Sequence, residues 1–237
     1  PRSLTSPSLT WAHSSLCWAE CLGSGHSEHT RSKKELANDH LARSAVDRRQ
    51  PQHDRKHLSP LSGDEKQMKK NFKKCLKMLL EHEGGFVNHP EDPGGATNLG
   101  VTKATYQAYA GRHVSMQEMR DLTVEDVEPI YRSRYADAVK FDELSSGLDW
   151  ATLDFAVNSG PGRAAKALQG CVGATQDGAI GPKTLAAVKK ADPQKVIKDL
   201  HQARQGFYEG LKTFKTFGKG WTRRNTETLE QALHLVE

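Results

Sequence analysis

The sequence predicts a mainly α fold, a helical domain with a small β-hairpin or loop set beside one carboxylate. Two observations carry that expectation. Beyond Met68, apolar residues recur at spacings of three and four, which places them on one stripe of a helix. The stretch EHEGGFVNHPEDPGGATNLGVT, from Glu81 to Thr102, then closes one such run with acids, a glycine pair and proline-marked turns.

Within that first run, Phe72, Leu76, Leu79, Leu80 and Glu83 share a stripe, so Glu83 is expected to be partly buried. Glu81 follows Lys77 on a face shared with Lys73 and Lys70, and reads as a solvated ion-pair partner. Burial and the negative end of a helix dipole both raise a carboxyl pKa, which lets Glu83 hold a proton near neutrality and give it to a leaving oxygen. Gly84 and Gly85 stop the helix and leave room for a substrate. Asn88-His89-Pro90 and Asp92-Pro93-Gly94-Gly95 are turn chemistry, and Ala96 to Val101 suits a short edge strand. Inverting glycoside hydrolysis needs an acid on one face of the bond and a group positioning water on the other. Asp92 or Glu91 is the candidate second carboxylate, and Thr97 or Asn98 the candidate holder of the water.

EGGFVNHPEDPGGATNLGVT closely resembles the signature of the glycoside hydrolase family 108 muramidases, which include bacteriophage endolysins and related bacterial lysozymes. The resemblance continues through Ile130-Tyr131-Arg132 and Tyr135, LDFAVNSG from Leu153, ALQG from Ala167, DGAIGP from Asp177, and Gly220-Trp221 with Arg224. It implies a lysozyme-like fold and cleavage between N-acetylmuramic acid and N-acetylglucosamine in peptidoglycan, with Glu83 as catalytic acid and no cofactor or metal. The spacing to Asp92 and Thr97 is similar to the acid, aspartate and threonine arrangement of phage lysozymes, with Asn98 in the slot expected for the threonine. Relatives commonly carry Trp immediately after the equivalent of Tyr135; Ala136 stands there in this chain, so one sugar platform is expected to be missing.

The composition divides the chain. All seven Phe, all five Tyr, all three Ile and all four Met lie at or beyond Met68, while six of the eleven His precede it. Residues 1–67 are therefore expected to be a disordered or non-native extension, with Met68-Lys69-Lys70 as the natural start. Residues 68–160 are assigned to the muramidase region, and 161–237 to a helical peptidoglycan-binding-like region packed on it. Cys17, Cys21, His26 and His29 miss the usual zinc-finger spacing, so no metal is expected. Cys75 reads as a small core residue, and no disulfide framework is expected.

Taken in order, Met68 to His82 is helical with a basic polar side. Thr102 caps a helix ended by Gly111, and Ser115 with Glu118 forms a capping box. A longer helix runs from Thr123 to about Val139, with a kink expected at Pro129. On it Tyr131 and Tyr135 are an i,i+4 pair, suited either to packing or to sugar stacking. Gly147 to Asn158 is apolar round most of its surface and should be a buried central helix in which Asp154 and Asn158 brace the core or face substrate. Arg163 to Val188 reads as helix, turn, helix. Val196, Leu200, Ala203, Phe207 and Leu211 form the stripe of the next helix, and Trp221 and Arg224 either complete a cleft wall or close the core.

A net charge of +5 and a pI near 9.0 suit work on an anionic polymer. Peptidoglycan and the anionic cell envelope are the expected partners; nucleic acid is not, since no recognition helix or aromatic RNA motif is present. Glu20 interrupts the apolar stretch Leu16 to Leu22, so no secretory signal is expected. The expectation is synthesis in a host cytoplasm, holin-assisted export and action on the cell wall. The competing readings are a catalytically weak peptidoglycan-binding or scaffold protein on the same fold, and a wall-trimming muramidase that assists secretion.

Overall fold

The computed structural model describes residues 63–81, 85–88 and 96–236. The expectations for residues 1–62, and those for Glu83, Glu91 and Asp92, lie outside these residues. Nine α-helices and one two-stranded sheet are present among the described residues.

Helix α1 runs Gly63–Glu81 and starts upstream of Met68. Phe72, Cys75, Leu76 and Leu79 are almost fully buried along its stripe, while Glu81 is exposed as its position among the lysines requires. Ala96 to Val101 is not one strand but a tight hairpin, β1 (Thr97–Asn98) against β2 (Val101–Thr102), with Thr97 opposite Thr102 and Asn98 opposite Val101. Its two turn residues, Leu99 and Gly100, have φ of 48° and 70°. Positive φ at both positions is what matches a two-residue turn to the right-handed strand twist. Val87 adds a bridge to Thr97, with N–H to carbonyl bonds of 2.8 Å in both directions.

Helix α2 (Lys103–Ala110) is capped by the Thr102 side chain and ended by Gly111 in the left-handed region. Helix α3 (Met116–Arg120) starts with the expected Ser115–Glu118 capping box. Helix α4 is shorter than the periodicity predicts. It covers Val124–Tyr131, with Pro129 inside it, and then widens into a π-helical turn at Arg132–Ala136. Proline supplies no N–H to the preceding turn, and the Ser133 hydroxyl donates to the Pro129 carbonyl at 2.8 Å. The Asp137 N–H then bonds Arg132 O, one residue farther back than α-geometry would use, at 2.9 Å. Ala136 faces inward with no exposure, so a side chain at this position meets the core and not a sugar.

The molecule is assembled around α5, Leu148–Ser159, in which eleven of the twelve residues are buried. Leu148, Trp150, Leu153 and Phe155 each contribute roughly 1.5–3 kcal/mol by leaving water. Packed about it are α6 (Pro161–Cys171), α8 (Pro193–Glu209) and α9 (Phe214–Val236), with α7 (Pro182–Lys190) joining through Leu185 and Val188. One apolar cluster runs without a break from Phe72 in α1 to Ala232 in α9. The turn between α6 and α7 is tied by Gln169, which donates to Asp177 Oδ1 at 2.7 Å and accepts from the Gly178 N–H at 2.9 Å.

On α8 the buried face is Val196, Ile197, Leu200, Arg204 and Tyr208. Ala203, expected on that stripe, is exposed instead. An arginine takes the inward position, because a carboxylate waits for it on α5.

Gly147, which caps α5, has φ of +84°, and a Cβ there would lie 2.3 Å from the Ala232 carbonyl oxygen of α9. Gly147→Ala is expected to lower the unfolding free energy by more than about 2 kcal/mol, from positive-φ strain and a backbone clash together. Urea denaturation followed by circular dichroism checks it, and an unchanged midpoint would contradict this close approach.

Candidate active site

Glu83 and Asp92 lie outside the described residues, and the other site residues expected from the sequence fall into two groups. The first surrounds the hairpin. Thr97 is half-buried, its backbone fixed by Val87 on one side and Thr102 on the other. Asn98 is buried, and its amide donates to the carbonyls of Met119 at 2.9 Å and Arg120 at 3.1 Å, where α3 ends. It therefore closes orphan helix carbonyls, a structural use of an amide that was expected to hold water or sugar. Tyr131 is 1% exposed and Tyr135 5%, so of the two uses open to this pair, packing and sugar stacking, their burial favours packing. The Tyr131 hydroxyl donates to Leu99 O in the hairpin turn at 3.0 Å, and the two rings lie 5.9 Å apart. The Arg120 guanidinium sits 4.4 Å over the ring of Phe86, which follows the glycine pair in sequence. This group thus positions the hairpin and the chain that leaves the EGG sequence.

The second group gathers on α5 and α9. Asp154 is completely buried, and its Oδ2 accepts from Arg204 Nη1 at 2.7 Å and from the Thr228 hydroxyl at 3.0 Å. Its Oδ1 accepts from Arg224 Nη2 at 2.8 Å and Nε at 3.2 Å. Asn158, one helical turn on, donates to the Asp154 carbonyl at 2.8 Å and to Oδ1 at 3.3 Å. Burial alone would raise the Asp154 pKa, but Arg224 and Arg204 outweigh it and hold the group well below the ordinary carboxylate range. Arg204 Nε also donates to the Tyr208 hydroxyl at 2.7 Å. Tyr208 in turn packs against Trp221, ring centroids 5.4 Å apart, and Trp221 meets Phe217 at 5.8 Å. Asn158, Trp221 and Arg224 are therefore organised by two residues, Asp154 and Tyr208.

Arg204 was not legible as a site residue, although its spacing of four from Leu200 puts it on the buried face. Asp149, at the first turn of α5, is a second buried carboxylate. It accepts from the Trp150 N–H at 2.6 Å and from the Asn71 amide of α1. Here burial wins over those hydrogen bonds, and the group is pushed up to about 6. Among the described residues, no group of three or more His, Cys, Asp or Glu side chains could hold a metal ion.

A helical domain built round one buried helix, with a short hairpin just beyond an EGG sequence, is a lysozyme-like fold. Residues 76–160 match the family described as Glycosyl hydrolase 108, and residues 163–226 match the Predicted Peptidoglycan domain. The fold is similar to the structure of Brucella abortus SagA, with a TM-score of 0.63 and 49% identity over 71% of this chain and 97% of that one. No curated protein matches. The chain belongs to the glycosyl hydrolase 108 family, and its chemistry is hydrolysis of glycosidic bonds with peptidoglycan as the polymer.

Asp149 gives the site region a pH signature. Its folded pKa of about 6 lies above the ordinary 3.8, so the folded protein binds more protons between those values. The stability it contributes is complete below about 3.8 and is lost as pH rises through about 6. The loss amounts to roughly 3 kcal/mol. Asp149→Asn is expected to flatten this fall, measured as unfolding free energies from pH 4 to 7; an unaltered slope would exclude Asp149 as its source.

Proposed function

We propose that this protein is an N-acetylmuramidase that hydrolyses the β-1,4 bond from N-acetylmuramic acid to N-acetylglucosamine, with Glu83 as general acid. The observation that carries the reading is the EGG sequence at Glu83-Gly84-Gly85, two residues beyond the end of α1 and inside the segment matched to the glycosidase family. Glu83 protonates the leaving O4 of N-acetylglucosamine as the C1–O4 bond breaks, while a water held by Asp92 and Thr97 attacks C1 of the muramic acid and gives its proton to the Asp92 carboxylate. The hairpin supports this role, since Thr97 is pinned by its backbone on both sides and its turn is anchored by Tyr131. Asn98, Tyr131 and Tyr135 act as the frame of the hairpin, consistent with their burial. Asn158, Trp221 and Arg224, all less buried, are the sugar-binding residues.

Residues 68–160 form the catalytic region and 161–237 the peptidoglycan-binding region. The biological reading is an endolysin that reaches the wall from a host cytoplasm through a holin and lyses the cell.

Glu83→Gln is expected to reduce release of reducing-end N-acetylmuramic acid from purified peptidoglycan by about 10²-fold or more, the contribution of a positioned general acid. Chromatography of the reduced muropeptides reads the outcome. Equal release by both proteins would reject Glu83 as the acid, and N-acetylglucosamine at the new reducing end would reject the assigned bond.

A further inference from the structure

The hairpin leads straight into α2: Thr102 ends β2, and its side chain caps the helix that begins at Lys103. Thr105 is buried in that helix, and its N–H donates to the Thr102 hydroxyl at 3.2 Å, which sets the direction in which α2 leaves the hairpin. Tyr106 and Tyr109, three positions apart, are neighbours on one flank of the helix. Their ring centroids lie 6.3 Å apart and their planes are tilted by 38°. Tyr106 is half-buried and packs against the core, while Tyr109 is 52% exposed, the most open large hydrophobic side chain among the described residues. At 1.5 Å of rise per residue, the two stand about 6 and 10 Å along the helix from Thr102. Thr102 in turn faces Thr97 across the hairpin.

A scattered exposed apolar residue is ordinary and needs no function. Tyr109 differs in being held against a second ring that is anchored in the core, and in standing beside the hairpin. The polar side chains around it are already used within the protein. Gln107 Oε1 accepts from the Val114 N–H at 3.1 Å, and Arg112 pairs with Glu118 at 2.7 Å. Tyr131, Tyr135 and Ala136 are all buried, so they leave the aromatic surface beside the hairpin to α2. The occupant follows from the shape of the polymer's sugars. In β-1,4-linked N-acetylglucosamine and N-acetylmuramic acid the ring substituents are equatorial, and each face of the pyranose is a C–H surface. A flat aromatic ring covers such a face, and tyrosine does so with little side-chain entropy to lose.

We propose that Tyr109, held in place by Tyr106, is a stacking platform for one sugar ring of the glycan strand, a ring beyond the pair that flanks the cleaved bond. The inference rests on the proposed muramidase function and extends its substrate from a single bond to a strand that runs from the hairpin along α2.

The test is the Kd for soluble glycan strands stripped of their peptides, measured by isothermal titration calorimetry with the full chain carrying Glu83→Gln so that the strands stay intact. Tyr109→Ala and Tyr109→Leu are each expected to weaken binding about 5-fold or more, since neither keeps a flat ring. Tyr109→Phe, which loses only the hydroxyl, should stay within about 2-fold of the Tyr109 protein. Tm should be nearly unchanged in all three, because the side chain is half in water.

A Kd for Tyr109→Ala equal to that of the Tyr109 protein overturns the inference, as does an equal loss in Tyr109→Phe or full binding by Tyr109→Leu. Absence of measurable binding by the Tyr109 protein overturns it as well. The proposed function is judged separately, by release of muramic acid ends from peptidoglycan by the parent. No release, together with the expected order of Kd values, would reject the hydrolysis and support the platform.

Discussion

One fully buried carboxylate, Asp154, holds the centre of this protein together. It lies on a helix with almost no exposed surface, and its partners come from α8 and α9, fifty and seventy residues farther along the chain. Removing water from such a group costs several kcal/mol, and a lone charge there would neutralise itself. Two guanidinium groups and the Thr228 hydroxyl make the charged form the stable one. The register of α8 and α9 against α5 follows from that requirement: a shift of one residue on either helix would carry its arginine away from the carboxylate.

The same helix carries a second buried carboxylate with the opposite balance. Asp149 has hydrogen bonds from a backbone N–H and from the Asn71 amide, but no guanidinium beside it is among the causes of its shift. Neutral donors do not offset its burial, so it is protonated more readily than Asp154. Stability from Asp154 is present above the ordinary carboxylate pKa and is lost in acid, while Asp149 acts in reverse as pH rises through about 6. The difference between the two ends of α5 is one of partner chemistry, since both sites are almost equally buried.

Much of this was readable from residue spacing. The caps at Thr102, Ser115 and Thr123 are local events, decided by a side chain and an N–H three residues away, and each forms as expected. The buried character of α5 follows from its apolar perimeter. What the sequence concealed is long-range or competitive. The spacing of Arg204 from Leu200 puts it on the buried face, but its partner Asp154 lies fifty residues away, so spacing alone does not report the pairing. The π-helical turn after α4 is a matter of backbone bonding, with the Asp137 N–H reaching back five residues to Arg132 O, which no apolar period reports. Tyr131 and Tyr135 were open between core and cleft, and burial decides for the core because the hairpin turn caps the Tyr131 hydroxyl.

The continuous core also bears on how substrate would be held. A binding domain on a flexible linker would leave its contacts to be ordered when the polymer arrives, at a cost in conformational entropy. Here the helices that match the peptidoglycan family pack directly on the helix that ends the glycosidase segment, and Gly147 in that segment touches the Ala232 backbone near the chain's end. Side chains from α5 and α9 are thereby fixed relative to one another before any ligand binds. Preorganisation of that kind favours alignment of a bound sugar with a catalytic group, because the geometry is set by folding and not by the substrate.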